Sequence, residues 1–119
     1  MPIAPAQNEA VLKRKQGVTI LSLQGQLILG QETADLHDAI KQLLTQGKKK
    51  ILLNLENVSF MDSAGVGTLV AAFGSARAAG GQMKLTRLGE KLRKSLVSTR
   101  LLGVFEIYDD EAEALQHFQ

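Results

Sequence analysis

The sequence predicts a single α/β domain in which a mixed, mostly parallel sheet of about five strands is covered by about four helices. Short runs of β-branched and aliphatic residues alternate with longer segments whose apolar residues recur at helical spacing. Glycines stand at the ends of most of these segments, where turns are expected. The chain has 119 residues, of which 45% are hydrophobic and 22% charged, which is enough for one buried core. We place the domain at residues 9–119, after a loose tail at residues 1–8 that holds both prolines.

The predicted strands are short segments bounded by turn residues. In chain order they are Val11–Lys15, Val18–Leu23, Ile51–Leu55, Met83–Leu88 and Val104–Tyr108. The first two are joined by the short turn Gln16-Gly17, so they should form the one antiparallel pair. Ile51–Leu55 is almost unbroken in its apolar character, as in a parallel strand buried on both faces. This strand should therefore lie in the centre of the sheet.

The predicted helices follow from apolar residues that fall on one face of a helix. They begin near Glu32 or Thr33, at Ser63, at Gly89 and after Asp109-Asp110, and the first three end at Gly47, Gly80-Gly81 and Leu102-Gly103. Their inward residues are expected to be Leu36, Ile40, Leu43 and Leu44; Val66, Leu69, Val70 and Phe73; Leu92, Leu96 and Val97; and Ala112, Leu115 and Phe118. Helices that join parallel strands should pack on the sheet through right-handed crossovers.

The composition argues against several classes of function. The chain has no cysteine, which excludes disulfides and thiol chemistry, and with only His37 and His117 a histidine-rich metal site is not expected. A net charge of +2 and only 4% aromatic residues are weak evidence for nucleic-acid binding. We therefore interpret the clusters of Lys and Arg as solvent-exposed faces of the fold. No apolar run reaches the ~20 residues of a membrane span, and the start lacks the core of a signal peptide. We therefore expect a cytoplasmic protein without nucleic-acid or membrane partners.

The stretch Phe60–Thr68 is the candidate functional segment. In open α/β sheets, sites lie beyond the carboxyl ends of the strands. Three connections should meet there: this stretch, the Leu27–Glu32 connection and the turn around Gly89. Asp62 and Ser63 stand where the loop turns into a helix, as capping residues do.

Two glycines, Gly65 and Gly67, lie in the opening turns of that helix. Glycine costs roughly 0.5–1 kcal/mol relative to alanine inside a helix. Their presence therefore indicates that either a neighbouring strand of the same fold or a partner comes close to the backbone.

No enzyme motif matches this stretch. The glycines lack the third member of a dinucleotide fingerprint and the Gly-Lys-Ser/Thr ending of a phosphate loop. Met61 stands where a nucleophile elbow requires its first glycine. Helix capping accounts for the nearby carboxylates, which are Asp62, Asp109, Asp110 and Glu111. We therefore expect no catalytic activity, no cofactor and no metal.

The residues from Asn54 to Gly67, Asn-Leu-Glu-Asn-Val-Ser-Phe-Met-Asp-Ser-Ala-Gly-Val-Gly, resemble the signature of anti-sigma factor antagonists, the bacterial branch of the STAS domain family. The likeness covers roughly residues 10–118. Further segments that carry it are Gly25-Gln26-Leu27, Thr33-Ala34 with Leu36, Gly80-Gly81 before Met83-Lys84-Leu85, and Leu101–Tyr108. The resemblance implies a single STAS-type domain.

The resemblance also implies a function, which is partner switching. In that family the unmodified antagonist binds an anti-sigma factor, usually a serine kinase, and so frees a sigma factor for transcription. The kinase phosphorylates the first serine after the aspartate, which maps to Ser63, and a serine phosphatase resets the cycle. The implied docking surface consists of Ile28, Leu29, Asp62, Ser63, Ala64, Gly65 and Gly67. We expect a monomer or a weak homodimer.

The physics of the segment agrees with that scheme. A phosphoryl group adds about −1.5 to −2 charges. At a helix N-terminus this charge meets exposed N–H groups and the positive end of the helix dipole. Phosphorylation of Ser63 should thus leave the fold intact and alter the surface that a partner meets. The alternative is that Ser63 is only an N-cap residue.

The connection after the second strand departs from the family pattern. Ile28 stands where the family often has an acidic residue, and the Leu27–Glu32 connection is longer. Ile28 and Leu29 either form an exposed apolar contact patch or continue the strand into the core. Two other functions are kept as alternatives: a phosphorylation-independent STAS scaffold subunit of a signalling assembly or transport system, and a catalytic or nucleotide-binding α/β protein with an unrecognised motif.

Overall fold

The computed structural model describes residues 10–118, whose strands form one five-stranded sheet. In chain order the strands are β1 (Ala10–Lys15), β2 (Val18–Leu27), β3 (Lys50–Met61), β4 (Gln82–Thr86) and β5 (Ile107–Tyr108). They lie side by side in this same order. β1 and β2 are antiparallel, whereas each later pair of neighbours is parallel. The predicted mixed, mostly parallel sheet is thus confirmed.

Four α-helices are present in the described part of the chain: α1 (Gln31–Thr45), α2 (Ser63–Ala78), α3 (Glu90–Ser98) and α4 (Glu111–Leu115). The larger core lies between one face of the sheet and α1, α2 and α3. The smaller core lies on the opposite face, where Ala114 and Leu115 of α4 pack on Val18, Ile20 and Leu52. Because Leu52 and its neighbours in β3 are fully buried, the prediction that this strand is covered on both faces is confirmed. No helix within residues 10–118 combines the length and the apolar character needed to cross a membrane.

β2 and β3 are longer than the sequence indicates, and this extension places the functional segment. The predicted strands ended at Leu23 and Leu55, but the two strands continue side by side until Leu27 pairs with Met61. Gly25 does not end β2, because the strand absorbs it in a stretch of irregular register. β4 pairs with β3 only as far as Asn54, so the ends of β2 and β3 project beyond the rest of the sheet.

The C-terminal part of the chain differs from the prediction more strongly. A strand was expected at Val104–Tyr108, but Leu102–Val104 forms a 3₁₀ turn and β5 contains only Ile107 and Tyr108. Phe105, between them, is instead buried in the larger core and packs edge-on against Phe73, with the ring centres 5.5 Å apart.

Two residues that were expected to face inward are exposed. Val97 is 55% exposed, since Leu92 and Leu96 of α3 already occupy the side of the helix that faces the sheet. Ala112 is exposed and Ala114 is buried in its place, because α4 is a short helix that contacts the sheet through its last turn. Phe118, also expected inward, is half-buried.

A buried lysine joins β4 to the C-terminal segment. Lys84 is 4% exposed, and its Nζ donates a 2.6 Å hydrogen bond to Oε1 of Glu106. The Tyr108 hydroxyl donates to the same oxygen at 3.1 Å. The bond from Lys84 is the main cause that lowers the pKa of Glu106. The ring of Phe118 lies 5.3 Å from the ammonium and covers it.

Candidate functional site

The site lies where the projecting ends of β2 and β3 meet the start of α2. Leu27 and Met61, the last residues of the two strands, are register partners. Asp62 follows Met61, and α2 begins at Ser63. On the other side of Met61, the Ser95 hydroxyl of α3 donates to the Met61 carbonyl at 3.4 Å. The β2–α1 connection and the start of α2 therefore adjoin, as predicted. The third predicted neighbour was the turn around Gly89, but the contact with Met61 comes from Ser95, within α3.

Asp62 is the N-cap of α2 and uses all of its polar groups. Its Oδ1 accepts the Gly65 N–H at 2.8 Å, and its carbonyl accepts the Val66 N–H at 3.0 Å. Its Oδ2 accepts the Leu29 N–H at 3.1 Å. Its own N–H donates to the Leu27 carbonyl at 3.2 Å. Asp62 thus connects the strand end, the β2–α1 loop and the helix.

The hydrogen bonds to the carboxylate stabilise its charged form. The N–H of Gly65, and then that of Leu29, lowers the pKa of Asp62 below its ordinary value of 3.8. The cap is therefore anionic throughout the physiological pH range.

This pKa shift predicts a specific acid response of the site. Because the pKa is lowered in the folded state, the stabilisation is present above the unfolded value of 3.8 and is lost as the pH falls through the folded value. In an NMR titration, the carboxyl resonance of Asp62 should change with a midpoint below 3.8, and the amide resonances of Gly65 and Leu29 should change with it. A midpoint at or above the ordinary value would contradict the two hydrogen bonds.

Ser63 is exposed at the first position of α2. The N-cap is Asp62, so the expectation that Ser63 shares the capping role is wrong. The reason is geometric: an N-cap residue has extended backbone geometry, as Asp62 has, whereas Ser63 is already helical. The Ser63 hydroxyl is consequently at the surface and is not required for the cap.

The two glycines of the segment have different environments. A Cβ on Gly65 would overlap the Leu27 carbonyl oxygen and lie 2.7 Å from Cγ of Met61, so a neighbouring strand of the same fold explains this glycine. Gly67 is exposed, and within the described residues nothing lies within 4 Å of a Cβ built on it. The fold therefore gives no steric reason for glycine at Gly67.

The β2–α1 loop presents an apolar side chain beside the helix start. Leu27 is buried, Ile28 is half-buried, and Leu29 is 80% exposed. The two predicted alternatives were an exposed apolar patch and a continuation of the strand into the core. Leu29 fits the exposed patch, whereas the burial of Ile28 is intermediate between the two alternatives. Ala64, which also belongs to the predicted docking surface, is half-buried.

Phe60 belongs to the candidate segment but was left out of the predicted docking surface, although it is exposed. Phe60 is 44% exposed and lies on the opposite face of β3 from Met61, as the alternation of side chains along a strand requires. Recognising that β3 extends to Met61 would have identified it.

Metal-ligating side chains do not cluster in the described part of the chain. Within residues 10–118 no group of three or more His, Asp or Glu side chains is placed to hold a metal ion. His37 contacts Ser75 at 3.4 Å, on a part of α2 that lies ~18 Å along the helix from Ser63. His117 stacks on Tyr108, with ring centres 4.6 Å apart.

Comparison with known proteins agrees with the fold. A family model of the STAS domain matches residues 9–114. An anti-sigma F factor antagonist of Paenibacillus polymyxa is 27% identical over 113 residues, which span 91% of this chain and 92% of that protein.

Solved structures agree as well. A Thermotoga maritima protein described as an anti-sigma factor antagonist superposes with a TM-score of 0.84 at 27% identity, over 92% of this chain and 93% of that chain. The Bacillus cell fate determinant SpoIIAA in its phosphorylated form gives a TM-score of 0.70 at 26% identity, over 90% of this chain and 96% of that chain. Since the family match spans most of the domain and these structures share its fold, the protein belongs to the STAS domain family.

Proposed function

We propose that the protein is an anti-sigma factor antagonist that acts by partner switching, with Ser63 as the phosphorylated residue. In this scheme the unphosphorylated chain binds an anti-sigma factor that is also a serine kinase, and a sigma factor is released. Phosphorylation of Ser63 breaks the complex, and a serine phosphatase restores the docking form. The chain itself acts as a docking module rather than as an enzyme.

The observation that carries the proposal is the exposed Ser63 hydroxyl at the start of a helix whose cap is made by another residue. Because Asp62 makes the cap, Ser63 can be modified without loss of that cap. The sixteen residues of α2 direct the positive end of the helix dipole at this position, which favours added negative charge by about 0.3–1 kcal/mol. The fold should therefore tolerate a phosphoryl group.

The same charge should be unfavourable in a protein interface. The surface around Ser63 is partly apolar, since Leu29 is exposed and Gly67 offers bare backbone. A partner that packs on this surface excludes water from it. Burying a phosphoryl charge of about −1.5 to −2 without a matching cation is strongly unfavourable, so the modified chain should dissociate.

The proposed docking surface keeps the predicted residues with distinct roles. Leu29, Ser63 and Gly67 are exposed and would touch the partner, while Ile28 and Ala64 lie at its margin. Asp62 and Gly65 support it through the hydrogen bond of the helix cap. We further propose that the protein works in the cytoplasm, as a monomer or weak homodimer, and without a nucleic-acid or membrane partner.

Phosphorylation in vitro tests the proposal. The chain is incubated with candidate serine kinases and ATP, and the phosphate is located by mass spectrometry. Trypsin releases Ser63 in the peptide Ile51–Arg77, which also contains Ser59, Thr68 and Ser75, so fragmentation of this peptide must assign the site. We expect one phosphate, on Ser63.

Two variants serve as controls for that assay. Ser63→Ala should abolish the modification, whereas Ser98→Ala, which alters an exposed serine on α3, should not affect it. Phosphate on another residue would contradict the proposal. An unmodified chain that binds stably to a signalling or transport assembly would favour the scaffold function, for which the altered Ile28 loop is the supporting feature.

A further inference from the structure

The Asp62 carboxylate accepts the Leu29 N–H, which a backbone carbonyl of β3 would accept if the pairing of the two strands continued. In a parallel pair, N–H and carbonyl groups of adjacent strands bond in regular succession. The pairing of β2 with β3 ends at Leu27 and Met61. Beyond this point the Asp62 carbonyl belongs to the helix, because it accepts the Val66 N–H at 3.0 Å. It is the side chain of Asp62, at 3.1 Å, that accepts the Leu29 N–H.

The consequence is that a side chain holds the loop in place. Leu29 is separated from Asp62 by 33 positions in sequence and is 80% exposed, so its side chain has little packing to fix it. Its N–H bond to Asp62 connects it directly to the residue that precedes Ser63. The second carboxylate oxygen of Asp62 is simultaneously held by the Gly65 N–H at 2.8 Å.

We propose that Asp62 is a positioning residue for partner recognition, whose carboxylate holds the exposed Leu29 beside Ser63 so that an apolar contact and the modified hydroxyl form one docking surface. Leu29 supplies the apolar contact and Ser63 the charge-controlled contact. Asp62 acts through these two hydrogen bonds, and no direct contact between its side chain and the partner is required. This inference rests on the proposed function only in its statement that the surface is used for docking.

Aspartate is the side chain that this role requires. The carboxylate presents two acceptor oxygens to two N–H donors that lie on different segments. Asparagine has one acceptor oxygen, and its NH₂ group would face the other N–H donor. Serine is a good N-cap but has a single oxygen on a shorter side chain. Both replacements should therefore keep the Gly65 bond or the Leu29 bond, but not both.

Amide hydrogen exchange of the isolated protein, followed by NMR, tests this tether, the hydrogen bond from the Leu29 N–H to the Asp62 carboxylate, without any partner. In Asp62→Ser the Leu29 amide should exchange about tenfold faster than in the unaltered chain, the factor expected for loss of one hydrogen bond to a charged acceptor. The Gly65 and Val66 amides should change by less than about threefold, since the helix cap is retained. Leu29 methyl order parameters should fall as well.

A matched control is available at the other aspartate cap. Asp110 caps α4 through a 2.8 Å bond from the Glu113 N–H, and Asp110→Ser should leave Leu29 exchange unchanged. Unchanged Leu29 exchange in Asp62→Ser would overturn the tether. An equal rise at all amides would also overturn it, because it would mean general destabilisation.

A double-mutant cycle tests the docking part, with the kinase identified by the phosphorylation assay as the probe. If Asp62 acts through Leu29, Asp62→Ser and Leu29→Ala should each weaken binding about tenfold, and the double variant should be no weaker than either. Losses that multiply would overturn the positioning role. If the exchange result holds and no anti-sigma factor binds, the proposed function fails and the tether stands.

Discussion

Gly65→Ala is expected to lower the free energy of unfolding by about 3 kcal/mol, the largest effect of any single change at the site. The added Cβ would overlap the Leu27 carbonyl oxygen and press on Cγ of Met61. That carbonyl cannot move away freely, since it accepts the Asp62 N–H at 3.2 Å. Urea denaturation followed by circular dichroism gives the change directly.

Gly67→Ala is the matched control on the same helix. Within the described residues, nothing lies within 4 Å of a Cβ at this position, so alanine should stabilise the chain by about 0.5–1 kcal/mol through its higher helix propensity. If the two variants shift the unfolding midpoint equally, the close approach of Leu27 does not explain Gly65.

The architecture could be predicted because strand and helix patterns are local. The apolar run at Ile51–Leu55 and the stripe on α1 both predict their elements without knowledge of the neighbours. The predicted end of β2 at Leu23 was wrong because strand pairing is not local. β3 offers a partner through Met61, and this pairing outweighs the low strand propensity of one glycine.

The boundaries near the C-terminus failed for a related reason. Val104 and Phe105 are apolar, and an apolar run fits a buried strand as well as a packed turn. Burial of Phe105 against Phe73 of α2 decides between the two, and that contact spans more than thirty positions of sequence. Val97 likewise has helical spacing to the buried positions of α3, but the limited width of the buried face leaves it outside.

For the site, the sequence could identify the segment but not the hydrogen bonds within it. The Asp62-Ser63 pair and the two glycines indicated a helix start and a close approach. That Asp62 rather than Ser63 makes the cap depends on backbone angles, and that Asp62 also binds Leu29 depends on the pairing of β2 with β3. Neither relation is visible in a sequence pattern.

Ser63→Asp should weaken binding to the anti-sigma factor about a hundredfold, whereas Ser63→Ala should bind as well as the unaltered chain. The aspartate places a fixed negative charge in a surface that must be desolvated on binding, and alanine removes only the hydroxyl. Both variants should remain folded, with the free energy of unfolding changed by less than ~2 kcal/mol. Isothermal titration calorimetry measures the affinities, and Ser98→Asp controls for added charge alone. Equal affinities of the Asp and Ala forms would argue against a charge-controlled switch.

The most direct measurement uses the phosphate itself. The chain is phosphorylated quantitatively at Ser63, titrated against the anti-sigma factor, and titrated again after treatment with a serine phosphatase. Partner switching predicts that the unmodified chain binds, that the phosphorylated chain does not, and that dephosphorylation restores binding with an unchanged circular dichroism spectrum throughout. Equal affinity of the phosphorylated and unmodified chains for the anti-sigma factor would contradict it.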